Sequence, residues 1–251
     1  MAEVPVIETR GLRMAFGDKV VLRGVDLTVA RGESLAVIGG SGSGKSVLLK
    51  CILGLVPPDA GRVLLDGRET GGRPQPGFLD RFGMLFQGGA LFDSLPVWQN
   101  VAFRLLRGPR PKAEARARAL EKLARVGLGP EVADLLPAQL SGGMQKRVGL
   151  ARAIATDPDV IFFDEPTTGL DPIMAGVING LIRGIVTETG ATAVTITHDM
   201  TSVRAIADRV AMLHDGRIRW HGPVGALDDA PDAGVQQFVH GRATGPLTAL
   251  R

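Results

Sequence analysis

The chain has a single cysteine, Cys51, and no tyrosine. One thiol excludes an internal disulfide, and its place on an apolar, helix-like run makes Cys51 a small buried side chain rather than a reactive one. No apolar run reaches the roughly 18 to 20 residues needed to cross a bilayer. The stretch from Val47 is interrupted by Lys50 and stopped by Pro57-Pro58. The first ten residues carry Glu3 and Glu8 without an apolar signal core, so export is not expected and a reducing, cytoplasmic setting is. A net charge of +3 is too small to argue for nucleic acid. With 45% hydrophobic and 22% charged residues over 251 positions, the chain can hold one large or two small soluble domains.

Against these absences stands one glycine-rich stretch. Ser34-Leu35-Ala36-Val37-Ile38 reads as an apolar strand, and Gly39-Gly40-Ser41-Gly42-Ser43-Gly44-Lys45-Ser46 follows it and opens a helix-like run from Val47. Strand, glycines and Lys-Ser at a helix start meet the spacing G-x4-G-K-[ST] in its required context. Glycines let backbone N–H groups turn inward, and the helix N-terminus adds unpaired donors and a favourable dipole, so a phosphate chain can be held. Lys45 would place a charge on the terminal phosphates, and Ser46 a hydroxyl on Mg²⁺.

Around this stretch, Val6–Phe16 and Val20–Val29 read as strands joined at Gly17-Asp18, and Gly61–Gly67 as a short strand. Gly71–Gly77 is a loop. Arg81–Phe86 is a second apolar strand ending at Gln87, after which proline, alanine and arginine mark a helical insertion to about Leu140. Leu140–Met144 opens a helix through Ala155. Val160–Phe163 and Ala191–Thr197 are buried parallel strands, ending at Asp164-Glu165 and His198. Pro172 starts a helix to about Glu188. Asp215-Gly216 joins a terminal hairpin, and the tail from Pro223 reads as helical and then loose. Strands alternating with helices favour a mostly parallel sheet.

The insertion is basic: Arg104, Arg107, Arg110, Lys112, Arg116, Arg118, Lys122 and Arg125 stand against Glu114 and Glu121. A solvated helix face is the ordinary reading, and a surface beside anionic phospholipid headgroups the alternative. Single-strand nucleic-acid binding is disfavoured because interleaved aromatics are absent.

Lys45, Gln87, Asp164-Glu165 and His198 therefore stand at or just beyond the C-terminal ends of apolar strands, the edge where ligands bind in open α/β sheets. Hydrolysis of a nucleoside triphosphate needs Mg²⁺, a positioned water and charge stabilisation. Asp164 is placed to hold the magnesium shell, Glu165 to polarise the attacking water, and His198 to contact the γ-phosphate region. His214, His221 and His240 have no comparable context.

Taken together, Gly39–Ser46, Gln87, Leu140–Met144, Val160–Glu165, Leu170-Asp171 and His198 resemble the ordered motif set of ABC-type ATPases. The resemblance implies an α/β P-loop NTPase with a mostly parallel core sheet, an N-terminal antiparallel β subdomain and a helical insertion subdomain. It places the ATP-binding core at 1–87 and 141–222, the helical subdomain facing a permease at 88–140, and a C-terminal extension at 223–251. It also implies that two copies sandwich ATP, so that Ser141, Gly142 and Gly143 of one cap the nucleotide held by the other. Asp171 joins the nucleotide site, and Gln87 joins the magnesium ligands Ser46 and Asp164. Phe16, 23 residues before Gly39, falls where the family places an adenine-stacking aromatic, usually tyrosine; phenylalanine keeps the π-face. Met144 replaces the usual glutamine after the signature glycines, and Thr168-Gly169-Leu170 replaces the commoner Ser-Ala-Leu before Asp171.

Met84–Leu95, the signature ending in Met144, Asp164–Ile173, Val235–Phe238 and Gly245-Pro246 further resemble the ATPase of Mla and MCE-linked lipid transport systems. That likeness implies a permease dimer, an MCE-type lipid-binding protein, a small regulatory subunit, phospholipid cargo and a place on the cytoplasmic face of an inner membrane. An importer ATPase for a small polar solute shares every catalytic motif and is the nearer rival. A soluble ABC ATPase acting on nucleic acid is the more distant one. The tail is read as a frayed terminus, or as a segment whose Phe238 docks on the second copy or a regulatory partner.

Overall fold

The computed structural model describes residues 4–71, 77 and 79–247. Most of the loop read at Gly71–Gly77 lies outside the described residues. In chain order the elements are β1 (Ile7–Phe16), β2 (Lys19–Val29), β3 (Ser34–Ile38), α1 (Lys45–Ile52), β4 (Ala60–Leu65), β5 (Arg68–Glu69), β6 (Phe82–Leu85), α2 (Val97–Val101) and α3 (Lys112–Arg125). They continue with α4 (Gly142–Ala153), β7 (Val160–Asp164), α5 (Pro172–Thr189), β8 (Thr192–Ile196), α6 (Met200–Ile206), β9 (Arg209–His214), β10 (Arg217–Pro223) and α7 (Ala233–Val239).

The chain forms two compact units, one of residues 1–76 and 195–251, the other of residues 77–194. In the first, β1 pairs antiparallel with both β2 and β4, and β4 with β5. Beside this sheet's outward-facing polar positions, β3 is buried at all five residues and runs parallel to β9, which pairs antiparallel with β10. A strand buried on both faces has no polar side to show, hence the unbroken apolar run read in the sequence.

The tail belongs to this body. Val235 and Val239 of α7 join Ala36 and Ile38 of β3 in one buried cluster with Val203, Val210 and Met212, and Phe238 and Leu247 pack against it. Gln237 fixes the last turn, accepting from Leu247 N at 2.7 Å and donating to Leu247 O at 3.1 Å. Through Leu247 the tail is therefore packed rather than frayed, with Phe238 partly buried on this cluster. Its apolar residues, spaced for one helix face, find their burial within the same unit.

In the second unit β6 runs parallel to β7, and Phe162 and Phe163 are fully buried, each worth about 1.5–3 kcal/mol of transfer free energy. The region read as a helical insertion holds fewer helices than its composition promises. α2 has 5 residues and α3 has 14, and the rest is loop and short 3-10 turns. Pro96, Pro109, Pro111, Pro130 and Pro137 punctuate it, and proline is tolerated only at helix starts.

The basic segment is satisfied internally. Arg104 pairs with Asp80, Arg110 with Glu114, Arg116 with Asp134, Arg118 with Glu121 and Asp157, Lys122 with Asp157 and Arg125 with Glu188. Arg107 lies over the Phe103 ring and Lys112 over Trp98. Lys122 is 1% exposed, so its 2.6 Å bond to Asp157 offsets the cost of burying a charge. The sequence excess of positive charge becomes a paired face. Among the described residues no helix is long and apolar enough to cross a membrane.

Candidate active site

In the first unit β3 delivers the chain directly into the phosphate loop. Gly39 has φ +154°, and a Cβ there would stand 2.2 Å from the Leu213 carbonyl oxygen, so the loop begins where only glycine fits. Gly44, at φ +104°, is the N-cap of α1 and offers no side chain to its first-turn amides. A helix start of this kind presents backbone N–H groups and a dipole that suit an anion. Lys45 is buried, and its Nζ donates to the carbonyls of Gly39 at 2.7 Å and Gly40 at 2.9 Å. The ammonium is thus folded into the loop rather than extended into solvent. Ser43 Oγ is buried without a hydrogen-bond partner, a cost of about 1–3 kcal/mol that a ligand oxygen at the loop would relieve. Ser46 stands exposed in the first turn of α1.

Phe16 ends β1 with 52% of its surface exposed, a ring left accessible rather than packed in the core. His198 follows β8 and is exposed. Its neighbours are fixed: Thr197 is fully buried, and its Oγ1 accepts from Asp199 N at 3.1 Å. Asp199 caps α6 through Thr201 N and Ser202 N.

The second unit holds the acidic pair. Asp164 is the last residue of β7 and half-buried. Glu165 follows with φ +48°, a left-handed conformation that costs a non-glycine residue about 1–3 kcal/mol. Bonds that hold the turn include Thr168 Oγ1 to Glu165 Oε2 at 3.1 Å, Thr168 N to Glu165 O at 3.3 Å, and Lys146 Nζ to the same carbonyl at 3.3 Å. Gln87 lies two residues beyond the end of β6, and is exposed. The strand stops at Leu85 rather than Phe86 because Gly89 N turns back to Phe86 O at 2.9 Å, which begins a turn.

Ser141 is the N-cap of α4, its Oγ accepting from Met144 N at 3.3 Å. Gly142 is open, with nothing within 4 Å of a Cβ built on it, whereas a Cβ on Gly143 would meet Met174 Cε at 2.7 Å. The helix start is thus bare on one side and packed on the other. Asp171 caps α5, its Oδ1 accepting from Ile173 N at 2.9 Å and Met174 N at 3.0 Å. The carboxylate thus has a structural task whatever else it meets.

Two residues escaped the sequence reading. Lys146 is 4% exposed; burial lowers its pKa below the ordinary lysine value, opposed by the charges of Asp164 and Glu165. Arg152, near the end of α4, is likewise depressed by burial. Helical projection holds the missed signal: Lys146 shares one face with Leu150 and Ala153, both buried, so a lysine lies in an apolar stripe.

Comparison with known proteins places the chain in a family. Residues 22–168 match the family described as ABC transporter. The probable ribonucleotide transport ATP-binding protein mkl of Mycobacterium tuberculosis is 39% identical over 245 residues, covering 96% of this chain and 68% of that protein. The methionine import ATP-binding protein MetN of Brucella abortus is 41% identical over 249 residues, covering 98% and 67%. Among solved structures, the ATP-binding cassette MJ0796, a dimer in a post-hydrolysis state bound to ADP and Pi, superposes with TM-score 0.79 at 32% identity, covering 87% of this chain and 98% of that one. The cbiO1 protein of Clostridium perfringens, part of the ABC transporter complex cbiONQ, gives 0.81 at 30% identity, covering 96% of both. The parallel pairs, the antiparallel N-terminal sheet and the helices are those of the P-loop ABC cassette, and at this identity and coverage the chain belongs to the ABC transporter family as a cassette whose ATP hydrolysis is coupled to transport.

Proposed function

We propose that this chain works as a homodimer on a membrane permease, closing around two MgATP molecules and reopening on hydrolysis. The observation that carries the reading is the phosphate loop, with Lys45 buried over its own carbonyls, α1 uncapped and Ser43 Oγ orphaned. Gly39 to Ser46 hold the phosphates and Phe16 stacks on the adenine. Ser141, Gly142 and Gly143 reach the γ-phosphate of the partner's nucleotide, with Asp171 beside them. Glu165 activates the water, Gln87 and His198 complete the catalytic set, and Lys45 neutralises the transferred charge.

Mg²⁺ would be held by Ser46, Gln87 and Asp164 together with phosphate oxygens of the nucleotide, an oxygen donor set of the kind this cation takes, since it binds through few carboxylates and keeps substrate oxygens.

The decisive variant is Glu165→Gln. It should bind ATP and accumulate as a dimer by light scattering while turning over at least about 10²-fold more slowly. Near-normal turnover would remove Glu165 from its role.

The proposed cargo is phospholipid, moved through a permease with an MCE-type lipid-binding protein and a small regulatory subunit at the cytoplasmic face of an inner membrane. Its support is the likeness of Met84–Leu95 and of the signature ending in Met144. The proposed permease-facing region is 88–140. The second reading, an importer ATPase for a small polar solute, draws on MetN at 41% identity. Mass spectrometry of the intact complex decides: co-purified phospholipid supports the first, a bound amino acid or solute receptor the second.

A further inference from the structure

In the second unit, the turn after Gln87 and the helix that begins at Ser141 are fastened to each other by one guanidinium. Arg152 Nη1 donates to Ala90 O at 2.8 Å and Nη2 to Gly89 O at 2.7 Å. The same group lies over the Phe92 ring at 6.0 Å from its centroid. Gly88, Gly89 and Ala90 have φ of +77°, +80° and +45°, and the bidentate bond grips two successive carbonyls of that turn.

The turn also lies against α4 without a gap. A Cβ on Gly149 would stand 2.8 Å from Leu85 Cδ1 and 3.3 Å from Gly89 Cα, and one on Gly89 would stand 3.2 Å from Gln145 O. Farther along, Asn100 is fully buried. It accepts from Phe92 N at 2.7 Å and donates to Phe92 O at 3.1 Å and Leu95 O at 2.8 Å, while Phe92 stacks on Phe103 at 4.3 Å. Residues 88–100 are thus a stiff block, stapled internally by Asn100 and bolted to α4 by Arg152.

An arginine in the last turn of a helix ordinarily interacts with its own helix's free carbonyls and dipole. Here both bonds go to a different segment, and they are the two-pronged kind that fixes orientation as well as distance.

We propose that Arg152 is a positioning residue that makes the Gln87 turn and the Ser141 turn engage nucleotide as one body. The inference rests on the reading above, in which both turns meet ATP. The two sensors stand at opposite ends of a single rigid connection: Gln87 leads into the turn that Arg152 grips, and Ser141 caps the helix from which Arg152 extends. When one reaches its phosphate or metal contact, the other is carried with it. Without the clamp the phosphate loop still binds ATP, since nothing in residues 39–46 changes, but the two turns arrive independently and the hydrolysing arrangement is seldom complete.

The test is hydrogen exchange by mass spectrometry on the full-length chain carrying Glu165→Gln, titrated with MgATP, alongside steady-state hydrolysis in the chain with Glu165 intact. In the Glu165→Gln parent, peptides covering 87–92 and 141–146 should gain protection with one common ATP midpoint. Adding Arg152→Gln should cut protection of 87–92 about tenfold while 141–146 keeps its own. In the Glu165-intact chain, Arg152→Gln should lower kcat about tenfold or more with KM within about threefold. Arg152→Lys, which keeps the charge but not the fork, should fall between. Gly149→Ala, which wedges the turn from α4 and leaves Arg152 in place, should reproduce the split, and it decides the question if Arg152→Gln does not fold. Common protection and unchanged kcat in Gly149→Ala and Arg152→Lys would overturn the proposal. Failure of the parent to gain ATP-dependent protection anywhere would instead bring down the nucleotide reading, and this inference with it.

Discussion

Lys146 Nζ donates to the carbonyl oxygen of Glu165 at 3.3 Å, placing a buried ammonium from α4 beneath the left-handed residue that follows β7. The bond ties the helix that starts at Ser141 to the proposed catalytic turn, and it helps hold a backbone conformation that glutamate does not adopt readily.

Replacing Lys146 with methionine should therefore separate stability from turnover. Methionine is close in length; it loses the bond but also relieves the cost of burying an ammonium, and Thr168 N still donates to the Glu165 carbonyl, so the two effects oppose and the melting temperature should move by only a few degrees. Turnover should fall about tenfold as the Glu165 turn loosens, the cost of one charge-assisted bond of about 1.5–3 kcal/mol being an upper bound. The pH dependence has opposed signs. Burial lowers the folded-state pKa of Lys146, so on raising the pH the folded protein loses this proton before the unfolded chain does. The unfolded state then binds more protons, and this group adds stability as pH rises, while the activity it supports declines. Circular dichroism melts and ATPase rates from neutral to alkaline pH check both slopes, and an unchanged rate in Lys146→Met would refute the role.

Leu91 tests transmission to the permease. It lies just beyond the turn gripped by Arg152 and is partly exposed. If residues 88–140 face a permease as proposed, Leu91→Asp should leave ATP hydrolysis by the isolated chain within about twofold and strongly reduce stimulation by the permease, since a charge in a docking surface weakens association without touching the chemistry. Equal loss of basal hydrolysis would argue against a pure coupling role.

The tail offers a stability test. Deleting residues from Asp232 onward removes Val235, fully buried, and Val239, 7% exposed, from the cluster around Ala36 and Ile38. At about 1.5–3 kcal/mol for each buried aliphatic side chain, the loss is a large share of a typical 5–15 kcal/mol of stability. A truncated chain should melt well below the intact one, or fail to accumulate. An unchanged denaturation midpoint would show the packing to be energetically idle.

Cys51 should be silent in the folded protein. Burial, with a smaller contribution from the charge of Asp59, raises its pKa from 9.0 to about 11. At pH 8 the folded thiol should react with a thiol reagent at least about 100-fold more slowly than the unfolded chain, since the thiolate is the reactive form. The linkage runs downward here: above pH 9 the unfolded chain releases its proton first, so this group subtracts stability as pH rises toward 11. Rapid labelling under native conditions would contradict the burial.

The parts of the molecule that sequence reveals are those where one residue type answers one physical demand. β3, β7 and β8 are legible because burial on both faces selects short, mostly apolar runs, and the phosphate loop because Gly39 has no room for a Cβ and Gly44 holds a φ that side chains rarely adopt. The region from Gly88 to Leu140 is less legible. Its composition is helical, yet its prolines confine helix to short runs, and its basic excess is cancelled by Asp80, Asp134, Asp157 and Glu188, acids far away in the chain. Lys146 and Arg152 were hidden for a related reason: a charged side chain in a helix looks solvated until the contacts of both faces are known.

The packing of α7 on β3 carries a practical corollary. The strand that feeds the phosphate loop borrows its outer cover from α7, far along the same chain, so α7 must be synthesised before that strand can be sealed. Until then an emerging chain holds a naked apolar ribbon, which makes this region a natural client of chaperones and a poor place for a bulky insertion.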